Sequence, residues 1–157
     1  MLKLEDVVFS YEKGTEIIKG ININIKEGKK IVFLGENGSG KSTLFLIMNG
    51  LLKPEKGNLY FKGEKMNYKK KELDKLREKV GIVFQDPEIQ IFAPTVMQEI
   101  AFGLKNLGCS REVTEERAHE AMIAVDIENL KDTPCHHLSY GQKKRVAIAS
   151  ITAMKPE

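Results

Sequence analysis

No stretch of this sequence approaches the roughly 20 consecutive apolar residues that a membrane-spanning helix needs. The first residues include Glu5 and Asp6, where a secretory signal peptide has a basic segment followed by an apolar one. These two absences predict a cytoplasmic protein, which works at a membrane only where a partner holds it there.

Cysteine and net charge are both low. Only Cys109 and Cys135 occur, with no CxxC pair and no Cys/His ligand spacing, so we expect a reducing compartment and no structural metal. The formal net charge is +3, and basic residues are spread among acidic ones. This balance gives no electrostatic footprint for nucleic acid, so no nucleic-acid partner is expected.

Apolar residues make up 41% of the 157 residues, which suits one soluble α/β domain over residues 1–157. Alternating apolar and polar residues predict antiparallel strands over 2–9 and around 21–25, and a short hairpin strand over 58–61. Short apolar runs predict buried parallel strands over 30–34 and 80–84. Sequence patterns also predict helices that begin near Lys41 and that cover 70–78, 94–107, 114–125 and 143–154.

A glycine-rich loop lies between the predicted strand 30–34 and the helix after it. Its residues match a Walker A phosphate-binding loop and are Gly35, Glu36, Asn37, Gly38, Ser39, Gly40, Lys41, Ser42 and Thr43. Glycines allow backbone N–H donors to approach a triphosphate closely, and the helix adds its positive N-terminal end. Lys41 is expected to reach the β and γ phosphates, and Ser42 to hold Mg²⁺ through its hydroxyl. The alternative is a glycine-rich turn with no ligand.

Three further places carry residues that suit a nucleotide site. Tyr11 ends the first predicted strand, where its ring can stack on a base or belong simply to the core or the surface. Gln85 stands at the carboxyl end of a predicted parallel strand, where ligand contacts gather. Ser139 and Gln142 have the spacing of a capping box, which alone predicts only a helix start. Beside a phosphate loop, Ser139 and the N–H groups around Gly141 become a second candidate phosphate site.

Together these motifs resemble the nucleotide-binding subunit of ABC transporters over essentially the whole chain. Residues 138–142 read Leu, Ser, Tyr, Gly, Gln and are similar to the family's signature sequence, with Tyr140 in place of the common glycine. The resemblance implies a P-loop NTPase core with an antiparallel β subdomain and a helical subdomain. It further implies that Tyr11 stacks on the adenine of ATP. Gln85 would be the catalytic-site glutamine that senses Mg²⁺ and the membrane partner.

Residues 84–96, 101–103 and 141–149 are similar in particular to the cobalt-import and energy-coupling-factor ATPases. That resemblance implies an ATPase subunit held on the cytoplasmic face of the membrane by an integral membrane transport subunit, with cobalt, nickel or a vitamin as cargo. The family pairs two ATPase subunits head to tail, which implies a homodimer or a heterodimer. We expect the contact with the membrane subunit within residues 92–107. A soluble ABC ATPase in another process and a nucleotide-binding remnant without catalysis are the alternative interpretations.

The family pattern continues past its signature helix into a Walker B strand, with an Asp and a catalytic Glu, and then to a switch histidine. The given sequence ends at Glu157, before the Walker B strand of the family pattern. His136 and His137 do not match the switch histidine, because they precede the signature. We therefore expect a fragment that is incomplete at its C-terminus and has exposed apolar sheet edges. Without the metal anchor and the base, such a chain is expected to bind ATP weakly and to hydrolyse it poorly or not at all.

Overall fold

The computed structural model describes all 157 residues as two compact units. The first unit comprises Met1–Val80 together with Glu157, and the second comprises Gly81–Pro156. None of the helices in either unit has the length and apolar character needed to cross a bilayer.

The first unit is built on a sheet of four strands, all paired antiparallel in the order β2-β1-β3-β4. The strands are β1 (Leu2–Ser10), β2 (Glu16–Ile25), β3 (Lys56–Phe61) and β4 (Glu64–Lys65). The predicted antiparallel strands are therefore formed. Leu4 lies between Ile23 of β2 and Leu59 of β3, so one face of this central strand is buried.

Two helices cover that buried face, α1 (Lys41–Met48) and α2 (Lys70–Lys79). Their apolar residues are fully enclosed, with Ile47 and Leu76 both 0% exposed. The core of this unit consists of Leu2, Leu4, Val7, Phe9, Ile18, Leu44, Ile47, Met48, Leu59, Met66 and Leu76. This packing fixes the start of α1 on the sheet, and the glycine-rich loop leads directly into that start.

The parallel strands predicted over residues 30–34 and 80–84 are not formed. A strand needs a hydrogen-bonded neighbour, and neither segment pairs with any other part of residues 1–157. The apolar side chains of the first segment are open to solvent, with Val32 77% and Leu34 90% exposed. The prediction of strands buried on both faces is wrong for this chain, because hydrophobicity alone does not supply a pairing partner.

The second unit is helical, with α3 (Val96–Asn106), α4 (Arg111–Ala124) and α5 (Tyr140–Thr152). A side-chain oxygen caps each N-terminus: Thr95, Ser110 and Ser139 accept from the backbone N–H three residues on. These caps explain why α4 and α5 each begin three residues before the predicted starts. The core between the helices consists of Val96, Ile100, Leu104, Ala118, Ala121, Met122, Ile127, Cys135, Leu138, Val146, Ala149 and Ala153.

Candidate functional site

The glycine-rich loop turns into α1 through two residues in the left-handed region. Gly38 has φ 81° and Gly40, the N-cap of α1, has φ 89°. A Cβ on Gly40 would lie 2.9 Å from Cδ1 of Ile18 and 3.1 Å from Cγ2 of Ile17, so only glycine fits. The first bond of the helix runs from Leu44 N to the Gly40 carbonyl at 2.9 Å. The N–H groups of the first turn therefore have no acceptor within the helix and are free to bind an anion.

The Lys41 ammonium is bound within this loop. Its Nζ donates to the carbonyl oxygens of Gly35 at 2.8 Å and Glu36 at 2.7 Å, and to Oγ of Ser39 at 3.3 Å. Residues 35–39, which include Asn37, are exposed. The loop thus places one positive charge and a helix N-terminus at a solvent-facing surface, which is the chemistry that a triphosphate requires.

Tyr11 lies beside this loop, as the nucleotide interpretation requires. Its hydroxyl is 3.2 Å from Oγ1 of Thr43, and its ring meets Phe9 edge-on with centroids 5.0 Å apart. The ring nevertheless remains 58% exposed, so a face is available to a base. Thr43 is buried, which leaves its backbone N–H as the group that it can offer to a phosphate.

Ser42 is exposed in the first turn of α1. Hydroxyl and amide oxygens are hard ligands of the kind that Mg²⁺ binds. Gln85, the other residue predicted to contact Mg²⁺, is also exposed but belongs to the second unit. Both side chains therefore fit the expected ion by their chemistry.

The main chain of Gln85 is held by the first turn of α5. Its carbonyl oxygen accepts a hydrogen bond from the Tyr140 hydroxyl at 3.2 Å and a second from the Lys144 ammonium. Asp86 then caps a short 3-10 turn, Pro87–Ile89, by accepting from the N–H of Glu88 at 3.0 Å. The second unit therefore brings Gln85 and the signature residues together.

Ser139 and Gln142 form the predicted capping box at the start of α5. The Ser139 Oγ accepts from the Gln142 N–H at 3.3 Å, and the Ser139 N–H donates to the Gln142 Oε1 at 2.8 Å. The helix-start interpretation of these two residues is confirmed. Their proposed contact with a phosphate stays a prediction. A helix capped in this way still presents free N–H groups in its first turn, and these groups are able to bind an anion.

Gly141 follows in that first turn, at the rim of a surface cleft. Nothing lies within 4 Å of a Cβ built on Gly141, and its φ is not in the left-handed region. No contact within the chain requires a glycine there. The cleft has a volume of about 500 Å³ and is lined by Asp126, Glu128, Asn129, Leu130, Ser139, Gly141, Gln142 and Arg145. The missing side chain therefore leaves room for a group from outside the chain.

Sequence reasoning missed two residues that act on the predicted site. The sequence singles out Tyr140 only as a departure from the family's signature, and it does not single out Lys144. Their spacing of four residues on a helix places them on one face, which is the signal that could have paired them. No pattern in the sequence indicates that their common acceptor is the Gln85 carbonyl.

Comparisons with known proteins all find ATP-binding proteins of ABC transporters. A family model described as ABC transporter matches residues 18–157. The energy-coupling factor transporter ATP-binding protein EcfA of Methanocaldococcus jannaschii is 52% identical over 157 residues, which is 100% of this chain and 56% of that protein. The chain thus spans about half the length of the curated relatives that it matches.

Two solved structures superpose on the chain. CbiO1 from Clostridium perfringens, described as part of the ABC transporter complex cbiONQ, gives a TM-score of 0.87 at 47% identity, covering 99% of this chain and 62% of that one. The ATP-binding cassette MJ0796, described as a dimer in a post-hydrolysis state bound to ADP and Pi, gives 0.90 at 34% identity, covering 99% and 71%.

Proposed function

Because the chain belongs to the ABC transporter family, we propose that it is part of the ATP-binding subunit of an energy-coupling-factor importer. In this function, ATP binding and hydrolysis drive uptake of a transition-metal ion, cobalt or nickel, or of a vitamin. The similarity to EcfA and to a component of cbiONQ supports the branch. The predicted fold class, that of the ABC ATP-binding cassettes, is confirmed by the two superpositions.

The observation that carries the proposal is the Lys41 ammonium inside a loop of left-handed glycines at a helix start. A triphosphate bound there would receive hydrogen bonds from the free N–H groups of the first turn of α1, residues 41–43. The ammonium exchanges its loop acceptors for β and γ phosphate oxygens. Tyr11 stacks on the adenine, which fixes the base at the side of the loop.

Ser42 and Gln85 would hold Mg²⁺, which would supply positive charge to stabilise the phosphates during phosphoryl transfer. The chain's own task is to orient the oxygens of these two side chains. The hydroxyl of Ser42 is placed by the first turn of α1, and the main chain of Gln85 by its bonds to α5.

A second ATPase subunit, identical or related, completes the site. MJ0796 has been described as a dimer, which supports a paired arrangement here. In such a pair the open surface at Gly141, with the capped Ser139 beside it, approaches the γ phosphate held by the other subunit. ATP then draws the two subunits together, and its hydrolysis releases them.

The integral membrane subunit docks, in this proposal, on the predicted segment 92–107, on the surface formed by Phe92 and Phe102. Their rings are 65% and 45% exposed and meet edge-on with centroids 4.7 Å apart. The buried carboxylate of Glu99 accepts from the N–H groups of Phe92 and Ala93 at 3.1 and 2.8 Å. It thereby fixes the loop that presents Phe92, so the subunit is held peripherally on the cytoplasmic face by a preformed apolar surface.

Calorimetric titration with ATP and Mg²⁺ tests the proposed function. We expect saturable binding that Lys41→Ala weakens about tenfold or more, since it removes a charge-assisted contact. Lys30→Ala, which removes the same charge from an exposed position outside the loop, is the matched control and is expected to bind like the unaltered chain. Equal affinity of both variants would overturn the assignment of the loop.

Co-purification tests the membrane partner. Phe92→Ser and Phe102→Ser are expected to abolish co-purification with the integral membrane subunit while leaving ATP binding intact, since both residues lie in the second unit, whereas the loop lies in the first. Loss of ATP binding in these variants would refute the assignment of this surface.

A further inference from the structure

We propose that Tyr140 is a positioning residue: together with Lys144, it ties the main chain of Gln85 to the first turn of α5. The segment that carries Gln85 and the phosphate site at Ser139 and Gly141 then move as one body. This inference rests on the proposed function, since ATP binding is what would make use of that movement.

The hydrogen bonds and the ion pair between α5 and the Gln85 segment come from residues on one face of the helix. Residues 140, 143, 144 and 147 recur at i, i+3, i+4 and i+7, so their positions form a single stripe along the helix. The capping box fixes the start of the helix, and with it the direction in which Tyr140 leaves the backbone. The stripe is therefore set by the local sequence of the helix.

Two donors from this stripe meet on one acceptor. The Tyr140 hydroxyl and the Lys144 ammonium both donate to the Gln85 carbonyl oxygen, and the ammonium lies 5.7 Å from the centre of the Tyr140 ring. A carbonyl oxygen has two lone pairs, so both bonds are made at once. Because this carbonyl belongs to the peptide that joins Gln85 to Asp86, the two bonds orient the backbone on which the glutamine side chain stands.

The rest of the segment is anchored to the same stripe. Lys143 forms an ion pair with Glu88 at 2.6 Å. Gln90 donates from Nε2 to the Ala147 carbonyl at 3.2 Å and accepts from the Phe84 N–H at 3.0 Å. The segment is thus bonded to α5 at three places, which are the Gln85 carbonyl, the Glu88 carboxylate and the Gln90 side chain.

The hydrogen bond from Tyr140 affects the position of the Gln85 main chain more than it affects the stability of the fold. Tyr140 is 57% exposed, so water can replace its hydroxyl contact, and the bond contributes little to the free energy of folding. A glycine at this position, as in the common form of the signature, has no hydroxyl to donate. The tyrosine therefore adds a link that the common signature does not make through its side chain.

Hydrogen exchange without nucleotide tests the link itself. In Tyr140→Phe, which keeps the ring, the amides of Glu88, Gln90 and Ile91 are expected to exchange about two to ten times faster, as the loss of one hydrogen bond allows. Lys144→Met is expected to act in the same direction. The matched control is Tyr68→Phe, which removes a buried hydroxyl that has no partner and should leave these amides unchanged.

Two results would overturn the link. One is unchanged exchange at these amides in Tyr140→Phe. The other is an equal acceleration at Ala118 and Ala121 in the core of the second unit, which would indicate a general loss of stability.

Amide chemical shifts on addition of ATP and Mg²⁺ separate this inference from the proposed function. We expect the unaltered chain to show shifts at residues 38–41 and at 139–142, and Tyr140→Phe to keep the first set while losing at least half of the second. The same shifts at 139–142 in both proteins would overturn the coupling. No shift at 38–41 in the unaltered chain would instead contradict the proposed function, and the exchange experiment still decides whether the link exists.

Discussion

The hydroxyl of Tyr11 lies 3.2 Å from Oγ1 of Thr43, which joins the end of β1 to the first turn of α1. Thr43 is buried, whereas the Tyr11 ring is 58% exposed. The hydroxyl end of the Tyr11 side chain is therefore held at a buried residue of the first unit, while much of the ring faces solvent. An aromatic ring held in this way is preorganised to stack on a base, because little side-chain freedom remains to be lost on binding.

This relationship predicts that Tyr11 contributes to the binding of the adenine base and not to the binding of the phosphates. Tyr11→Ala is expected to weaken ATP binding by about 1 kcal/mol or more, which is roughly fivefold. Tyr11→Phe should bind within about twofold of the unaltered chain, since the stacking face is kept. Calorimetry with inorganic tripolyphosphate, which has no base, is the control. An equal loss of tripolyphosphate affinity in Tyr11→Ala would show that the ring supports the loop and not the adenine.

Gly40 and Gly141 form a matched pair for alanine substitution. Gly40→Ala is expected to lower the free energy of unfolding by about 1–3 kcal/mol and to abolish ATP binding, because φ is 89° and the Cβ would contact Ile18. Gly141→Ala should leave stability unchanged or raise it by up to about 1 kcal/mol, since the position is helical and open. Urea unfolding and ATP titration of both variants check these outcomes.

Gly141→Ala also tests the proposed pairing of subunits. The variant should bind ATP normally as a single chain but should associate less with a second subunit in the presence of ATP. Analytical ultracentrifugation measures that association. A destabilised Gly141→Ala chain would mean instead that the glycine serves the fold of α5.

The buried carboxylate of Glu99 is expected to stabilise the second unit through the N–H groups of Phe92 and Ala93. Glu99→Ala leaves two donors without a partner and should cost roughly 2–4 kcal/mol, measured by urea unfolding. Glu99→Gln keeps one acceptor oxygen and should cost about half as much. Equal costs for the two variants would mean that the charge, and not the acceptor geometry, supports this loop.

Tyr68 gives the chain a specific sensitivity to alkaline pH. Burial raises the pKa of its phenol to about 12, above the value of about 10 in an unfolded chain. Stability that depends on the neutral phenol is complete below pH 10 and falls as the pH rises toward 12, because the unfolded chain ionises first. Tyr68→Phe should remove part of this loss and should be at least as stable at pH 7, since the hydroxyl has no partner.

Absorbance near 295 nm during alkaline titration measures the tyrosine ionisation directly. The chain has 4 tyrosines and no tryptophan, so the signal is tyrosinate alone. A single transition near pH 10 for all of them, with the chain still folded, would contradict this account of Tyr68.

The sequence was most informative where one short segment determines its own conformation. The glycine-rich loop and the capping box at Ser139 and Gln142 depend on local spacing, and both are formed. The strand Leu2–Ser10 is formed as well, because strands 16–25 and 56–61 are there to pair with it. The end of the first predicted strand indicated Tyr11 as a candidate, and resemblance to a family added its role at adenine. No local pattern indicates its position beside Thr43.

The predictions failed where a structure depends on a distant partner. Residues 30–34 are as apolar as a buried strand, yet Leu34 is 90% exposed because no strand pairs with this segment. The bond from Tyr140 to the Gln85 carbonyl joins residues 55 positions apart. Such contacts follow from packing, which spacing along the sequence does not determine.

A phosphorus NMR titration of ATP and Mg²⁺ with this chain tests the central claim most directly. We predict that the β and γ phosphate resonances shift or broaden in proportion to the protein added, and that Lys41→Ala removes the effect while Lys30→Ala keeps it. Unperturbed β and γ resonances at protein concentrations in excess of the nucleotide would show that the glycine loop does not hold the triphosphate, and would contradict the proposed function.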